Sequence, residues 1–508
     1  MDRRHFLAAA GSASLLGLDA CGGSSAPAPA PAPPAPPPPS GPDWASLQAG
    51  IQGSVVLPGA AAFAAAAPVF NAAYDATLPR AVVKCTSASD VVAALAFARA
   101  NNLPLTARSG GHGYTGNSTT TGMVIDVGAM NAITLGSGTA IIGAGAKLVD
   151  VYDQLSAQGV CIPAGSCPTI GIAGITQGGG IGVVDRAYGL TCDNLVSAQV
   201  VLADGSVVTC DADTHADLFW ALRGGGGGNF GIVTSLTFNT FATSDVTNFS
   251  AAFAWADAAA VIAAWQAWPQ TLPDTVWSGM VVQTTYSTSP AIEVSGTFLG
   301  SSADFAPIWT QFLAASGATP TSQSVQTQSF RDTMLSDCGS RTVSQCHLAS
   351  ETSDGSVQRA AFVAASDFFD AQLPTAGIQA LLAAVQAQQA IAPLIIIMDL
   401  MGGAIARVAP DATAFVHRNA VFSAQYYMEG PVGTPDSQVQ SARAIVTGMR
   451  TAMAAWSSGE CYQNYLDPQL ANWQAAYYGA NYARLVQVKA AYDPTQVFKP
   501  AAQGIPPQ

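Results

Sequence analysis

Residues 108–116 read RSGGHGYTG, four glycines around a single histidine, His112. Glycine at this density calls for backbone at positive φ or in close approach to another group. The flanks decide which folds can carry such a loop. AVVKC (81–85) is a short apolar run with β-branched residues. SASDVVAALAFARANN (87–102) opens on Ser/Asp and then repeats apolar residues at helical spacing. LPLTAR (103–108) and MVIDVG (123–128) read as strands again. The loop therefore joins strand to strand. A P-loop or a Rossmann turn opens a helix, and this one does not. A phosphate-bearing ligand would be met here by backbone amides in a nest, not by a helix end.

Three other glycine clusters imitate dinucleotide motifs and fail in context. GAGAKLVDVYDQL (143–155) runs from strand to helix, but Leu148 stands where the third glycine should be. No acidic residue follows about twenty positions on to hold a ribose. GGGGGNFG (224–231) has a helical LFWALR before it and a strand-like IVTSLTF after it, the reverse order. QGGGIG (177–182) lacks support on either side. NAD binding is not expected.

At 508 residues the chain can hold two or three domains. Only 10% of residues are charged and the net charge is −13, which argues against nucleic acid or an anionic membrane surface as partner. The first 21 residues read as an address. Arg3 and Arg4 precede a short apolar run to Leu18, as in a twin-arginine export signal, with an ordinary Sec signal as the alternative. LDAC (18–21) resembles a lipoprotein box with Cys21 as the lipidated residue. Asp19 is an unusual occupant, so cleavage near Ala20 or no processing stays open. Residues 22–43 form a linker containing APAPAPAPPAPPPP (26–39), which favours polyproline II. At about 3.1 Å per residue it could hold a domain about 40 Å from an anchor. The twin-arginine route carries folded proteins, consistent with a cofactor inserted before export to the periplasm or cell envelope.

The second informative stretch is PAGSCPTIGIAGITQGGGIG (163–182). Its Cys167 sits on a glycine-rich loop, where a thiol is better placed to react than in an apolar periodic segment. With RSGGHGYTG come AGSCPTIG, RAYGLTCDNL (186–195), VLADG (201–205) and DLFWALRGGGGGNFGIVTSLTF (217–238), in that order. Together they resemble the FAD-binding domain of the vanillyl-alcohol-oxidase and p-cresol-methylhydroxylase (PCMH) superfamily. YQNYLD (462–467), NYARLVQVKAAYDPTQVF (481–498) and IPP (505–507) look like the berberine-bridge-enzyme branch. The resemblance implies an α+β fold. A two-subdomain PCMH-type FAD-binding domain would cover 44–242 and be completed by 456–508. A substrate domain, an antiparallel sheet covered by helices, would cover 243–455. Within it VWSGMVVQTTY and AIEVSGTFLG read as strands, PIWTQFLAAS and GIQALLAAVQAQQ as helices.

In this family the histidine of the SGGH loop is bonded to the flavin 8α-methyl and the cysteine of the CPT motif to flavin C6. His112 and Cys167 are the matching positions, which implies a bicovalent FAD. Such attachment would hold the ring rigidly and raise its potential. By the same resemblance the cofactor would contact Arg108, Ser109, Gly110, Gly111, Gly113, Tyr114, Thr169, Ile170, Gly171, Gly174, Gly178 and Gly182. Further contacts would come from Asn194, Gly231, Ile232, Val233, Tyr462 and Asn464. One departure stands out: many members have Gly-Gly-His where this chain has Ala173, Gly174 and Ile175.

The catalytic candidates are Asp399 at the end of APLIIIMDLMGG (392–403), Gln425 in FVHRNAVFSAQYY (415–427), which resembles the family's substrate-facing strand, and Tyr465 of YQNY. In the family a tyrosine here commonly takes the substrate hydroxyl proton while hydride passes to flavin N5, and Asp399 matches the place of an assisting acid. The phenol would need its pKa lowered to act as base. The implied activity is an exported FAD-dependent oxidoreductase acting on the C–OH group of a sugar or secondary alcohol. The alternative is a flavin-carrying lipoprotein that moves electrons or binds without substrate chemistry of its own. Ile170 follows the CPT threonine, beside flavin C4a in the family. Its bulk favours a dehydrogenase with a periplasmic or membrane acceptor over an O₂-using oxidase.

The remaining candidates are weaker. DADTHAD (211–217) lacks the glycine and glutamate of a calcium loop and reads as the cap of a helix beginning near Asp217. His215, His347 and His417 lack metal-ligand spacing. Cys338 and Cys346 flank a short polar segment and could pair in an exported protein or remain thiols. Cys85, Cys161, Cys192, Cys210 and Cys461 carry no assigned role.

Overall fold

The computed structural model describes residues 41–286, 289–339 and 341–507. The segment read as an export signal, Cys21 and the linker up to residue 40 lie outside the described residues. Ala81–Lys84 and Met123–Asp126 are buried apolar strands that pair in parallel, and Leu105–Arg108 joins the other side of Met123–Asp126, also parallel. A parallel pair needs a crossover, and the helix Ala88–Ala100 supplies it, its first turn capped by the Ser87 hydroxyl on the Asp90 amide. Ser54–Val56 completes this four-stranded sheet antiparallel to Ala81–Lys84. The first glycine loop leaves Arg108 at the carboxyl edge of the parallel strands, where α/β sheets present ligand crevices.

A second sheet has five antiparallel strands in the order Ile133–Leu135, Thr139–Gly143, Ile232–Asn239, Leu195–Val201, Val207–Asp211. The glycine clusters fall as read: the helix Leu148–Ser156 follows 143–147, and Ala216–Ala221 precedes 224–231. Asp211 accepts the amides of Asp213 and Thr214, turning the chain ahead of that second helix. Both sheets share one core with the chain's far end, because Cys461, Tyr477, Leu485, Val488, Phe498 and Ile505 are buried in it. Each large apolar side chain so buried contributes about 1.5–3 kcal/mol, which ties the C-terminal segment to the domain that begins near residue 44.

The third sheet has seven antiparallel strands, all drawn from 245–431: Ser322–Ser329, Asp245–Phe253, Ala291–Phe298, Val276–Gln283, Ile395–Leu400, Phe422–Pro431 and Ala360–Phe369, in that spatial order. The helices Ala258–Ala267, Ser302–Ser316, Thr375–Gln388 and Asp436–Met453 bury Trp265, Phe305, Trp309, Leu381 and Met449 in the sheet's core cluster. The architecture is α+β. One strand is shorter than its sequence suggests: it starts at Phe422, not at Phe415. The preceding residues are held by side chains instead. Arg418 forks onto both oxygens of Asp193 and also donates to the Phe415 carbonyl, while His417 Nδ1 lies 2.7 Å from Glu460. Cys338 and Cys346 form a disulfide.

Candidate active site and cofactor cradle

The two glycine loops are pressed together. A methyl group on Gly110 would collide with the Gly171 amide nitrogen, and one on Gly171 with the Gly110 nitrogen and the Ser109 hydroxyl. This contact brings His112 Nε2 to 2.9 Å from the Thr169 hydroxyl, two residues past Cys167. The imidazole also stacks on Phe70, with centroids 3.9 Å apart. Burial, and then the charge of Lys147, pushes the imidazole down to about 3, so His112 is neutral with a lone pair to offer. The Cys167 thiol is exposed.

The residues present fit an FAD. Among the described residues, the amides of 109–113 donate to no protein acceptor, which leaves them available to an anion. Residues 109–111 also form one wall of a cavity of about 400 Å³ that Lys84, Asn131 and Lys147 line as well. In the helix Ile172–Gln177, Gly174 faces open space, with nothing near where a side chain would begin. Arg108 is a different matter. Its guanidinium is committed to Asp126 at 2.7 Å and to the Ala66 carbonyl at 2.6 Å, so it braces the loop and brings no free charge to a phosphate.

Other expected cofactor residues work through the backbone or elsewhere. The Tyr462 hydroxyl accepts the amides of Gly180 and Ile181 and the side-chain amide of Asn464, while Asn464 also donates to the Ile175 carbonyl. Together they shape the second glycine loop, with Gly178 packed against Asn464 and Gly182 against the Ala164 carbonyl. Gly113 lies against the Ser118 hydroxyl. Asn194 donates to the Tyr188 and Leu190 carbonyls within its own turn. Gly231 leads into Ile232 and Val233, buried at the start of a strand of the five-stranded sheet.

The catalytic candidates converge. Asp399 pairs across the sheet with Gly279 on one side and Ser423 on the other. Side chains alternate along a strand, so Ser423, Gln425 and Tyr427 share one face. Gln425 donates to the Tyr114 hydroxyl at 2.9 Å, and Tyr114 stacks on Tyr465 with centroids 5.3 Å apart. Tyr465 meets Tyr462 edge-on at 4.8 Å. Burial raises the Asp399 carboxyl to about 7. The protein's own groups do not lower the Tyr465 phenol, so any lowering would have to come from the flavin. Burial pushes the phenol well above its ordinary value, and neighbouring Tyr114 and Asp399 add to the rise. The Cys167 thiol contributes to that rise too, which places it in the same neighbourhood.

The sequence reading missed several residues. Tyr427 is two positions from Gln425, a spacing that could have revealed it. Phe362 packs edge-on to Tyr114 at 4.8 Å and lies 5.7 Å from Tyr427, and Phe70 backs His112. Asp185 is fully buried, with one oxygen on the Gly182 amide and the other without a hydrogen-bond partner. No local pattern announces Phe362, Phe70 or Asp185.

Comparison with known proteins adds to this geometry. Residues 79–211 match the family described as FAD binding domain, and 461–506 the family described as berberine and berberine like. The FAD-linked oxidoreductase YgaK of Bacillus subtilis is 35% identical over 439 residues, 84% of this chain and 91% of that protein. The chitooligosaccharide oxidase of Gibberella zeae is 29% identical, covering 83% of this chain and 86% of that one. Among solved structures, BBE-like 1 of Physcomitrella patens superposes with a TM-score of 0.81 at 28% identity, over 92% of this chain and 99% of that one.

Proposed function

The chain belongs to the berberine-bridge-enzyme-like, PCMH-type family of FAD-linked oxidoreductases, and from that premise we propose an exported enzyme that oxidises the C–OH group of a sugar or secondary alcohol on a bicovalently held FAD. The observation that carries the reading is the convergence of Tyr465, Tyr114, Gln425 and Asp399 in the neighbourhood of Cys167.

When bound, FAD supplies the hydride acceptor. His112 and Cys167 would hold its ring, and the amides of 109–113 its pyrophosphate. The chain's own task is the proton. Burial and the neighbouring Tyr114 and Asp399 favour the protonated form of Tyr465. In that form Tyr465 takes the substrate's hydroxyl proton only as it yields its own, and Asp399, at about 7, is the group able to accept one near neutral pH. Gln425 fixes Tyr114, and Tyr114 fixes the plane of Tyr465. The rings of Tyr114, Phe362, Tyr427 and Tyr465 offer apolar faces of the kind on which a sugar ring packs.

Ile170 supports a dehydrogenase over an oxidase, with a periplasmic or membrane acceptor in place of O₂. The twin-arginine pair and Cys21 support export and a lipid anchor. No helix among the described residues is long and apolar enough to cross a membrane. The deciding experiment is an anaerobic screen of sugars and secondary alcohols for flavin bleaching. Bleaching by one of them supports the enzyme; a bound flavin that none of them bleaches favours the electron-carrying scaffold. Intact mass completes it: one added FAD in wild type and in each of His112→Ala and Cys167→Ala, and none in the double variant. A wild-type mass equal to the bare chain removes covalent attachment.

A further inference from the structure

We propose that residues 344–352 form a latch over the cavity beneath the first glycine loop, shut while charged His347 is held between Asp150 and Glu351 and released when that lock is broken. The inference rests on the reading that this loop cradles the cofactor, and it concerns access to that same site.

The evidence begins on the helix Leu148–Ser156 and its N-cap, Lys147. Lys147, Asp150 and Asp153 recur every third residue and so lie along one stripe. Each meets a partner from the substrate-domain chain. Lys147 Nζ is 2.8 Å from Glu351, Asp150 Oδ1 is 3.2 Å from His347 Nε2, and Asp153 Oδ1 is 2.7 Å from Arg331 Nε. His347 Nδ1 lies 3.5 Å from Glu351, so Asp150, His347, Glu351 and Lys147 form one continuous chain of charges. These groups are mostly buried: the side chains of His347 and Lys147 are 8% and 12% exposed. Pairs this shielded hold more strongly than surface ion pairs, which are worth little. Beside them the Cys338–Cys346 disulfide packs with Val149 of the same helix.

The inner side of the segment contributes part of the cavity wall. Leu348, Glu351 and Thr352 line the cavity together with residues 109–111. The segment keeps its own shape, because the Glu351 carboxylate accepts the Leu348 amide and the Thr352 hydroxyl donates to the Ser344 carbonyl. The lock also reaches the flavin-linking position: Lys147 and Glu351 are the charges that act on His112.

The sign of the pH response follows. The hydrogen bond that His347 donates to Asp150, then the one it donates to Glu351, lifts its pKa to about 9. Burial works against Glu351, yet His347 and Lys147 prevail and hold it at about 2. Facing His347 are Asp150 and Lys147 from the helix and Glu351 from its own segment. Lys84 and the paired Arg108 and Asp126 complete the cavity wall. A folded-state pKa above the unfolded value near 6.5 means the lock is complete below that value and is lost as pH rises through about 9.

The test is hydrogen exchange on the purified full chain with whatever flavin it carries, corrected for intrinsic rate. Peptides covering 344–352 and 108–116 are followed at pH 7 and pH 10. The expected result is about a tenfold loss of protection in both peptides at pH 10, with the seven-stranded sheet unchanged. His347→Gln should show that loss already at pH 7 and no further change at pH 10, and Glu351→Gln should do the same if His347→Gln fails to fold. Equal protection at both pH values in wild type overturns the latch, and so does equal protection in wild type and the variants at pH 7. A chain without flavin whose 344–352 peptide still follows pH would retain the latch and remove the proposed function. A flavin-bearing chain without that response removes the latch alone.

Discussion

Gln425 and Tyr114 stand 311 positions apart in sequence, yet the Gln425 side-chain amide donates to the Tyr114 hydroxyl at 2.9 Å. This bond joins the seven-stranded sheet to the first glycine loop at the point where Tyr114 stacks on Tyr465. Gln425→Leu removes the donor and leaves the Tyr114 ring free to tilt. A hydrogen bond of this kind is worth about 1 kcal/mol net, so flavin reduction should slow about five- to tenfold with flavin content unchanged. Tyr114→Phe should cost a similar factor and the double variant little more, since both delete one interaction. Anaerobic stopped-flow on the four proteins checks this; fully multiplicative losses would mean the bond does not couple the two residues.

Tyr465→Phe deletes only a hydroxyl. Loss of a proton-transferring group typically costs 10²–10⁴-fold, so the reductive rate should fall by about that much while the flavin spectrum and folding stay as they are. A rate within about threefold of wild type would remove Tyr465 from the proton path.

Asp399 sets the acid side of the pH profile. With its carboxyl at about 7, the reductive rate should fall as pH drops through 7, because the protonated acid cannot accept another proton. Asp399→Asn should slow the reaction and abolish that limb. The stability consequence has the opposite sense. A carboxyl raised above its unfolded value binds more protons when folded, so it draws stability down as pH rises from about 4 to about 7. Asp399→Asn should therefore melt higher than wild type at pH 8 and level with it near pH 3. Thermal melts at the two pH values decide this, and an unchanged difference would mean the carboxyl titrates normally.

Gly110 and Gly171 each occupy the space the other's side chain would need. Gly110→Ala or Gly171→Ala must push the loops apart, and overpacking of this kind costs about 1–3 kcal/mol. The separation should also break the His112–Thr169 contact and lower flavin incorporation. Chemical denaturation and the ratio of flavin to protein absorbance measure both effects. Gly138→Ala, at an open surface turn with positive φ, serves as the comparison: strain without collision, and full flavin content.

Ile170 packs against the core from the loop that carries Cys167, with its amide on the Cys167 carbonyl. Ile170→Val removes one methylene, and packed interiors respond to a change that small. Reoxidation of the reduced enzyme in air-saturated buffer should be slow in wild type and faster in the valine variant. Fast reoxidation of wild type with no gain from valine would replace the dehydrogenase reading with an oxidase.

Much of this protein was legible in its residues alone. The strand–helix–strand unit, the glycine loop without a helix behind it and the reversed order around 224–231 are local patterns, written in spacings of two and of three to four residues that neighbours enforce. His112, Cys167 and Tyr465 stood out as candidates because chemistry-bearing residues lay inside recognisable motifs. What the tertiary structure alone decided lies between segments far apart in the chain. That Arg108 braces a loop, that Tyr465 is pushed up in pKa, and that Glu351 and His347 close onto Lys147 and Asp150 all depend on which groups share buried space. Charge and hydrogen bonding act through distance and desolvation, and a linear sequence fixes neither until the chain has folded.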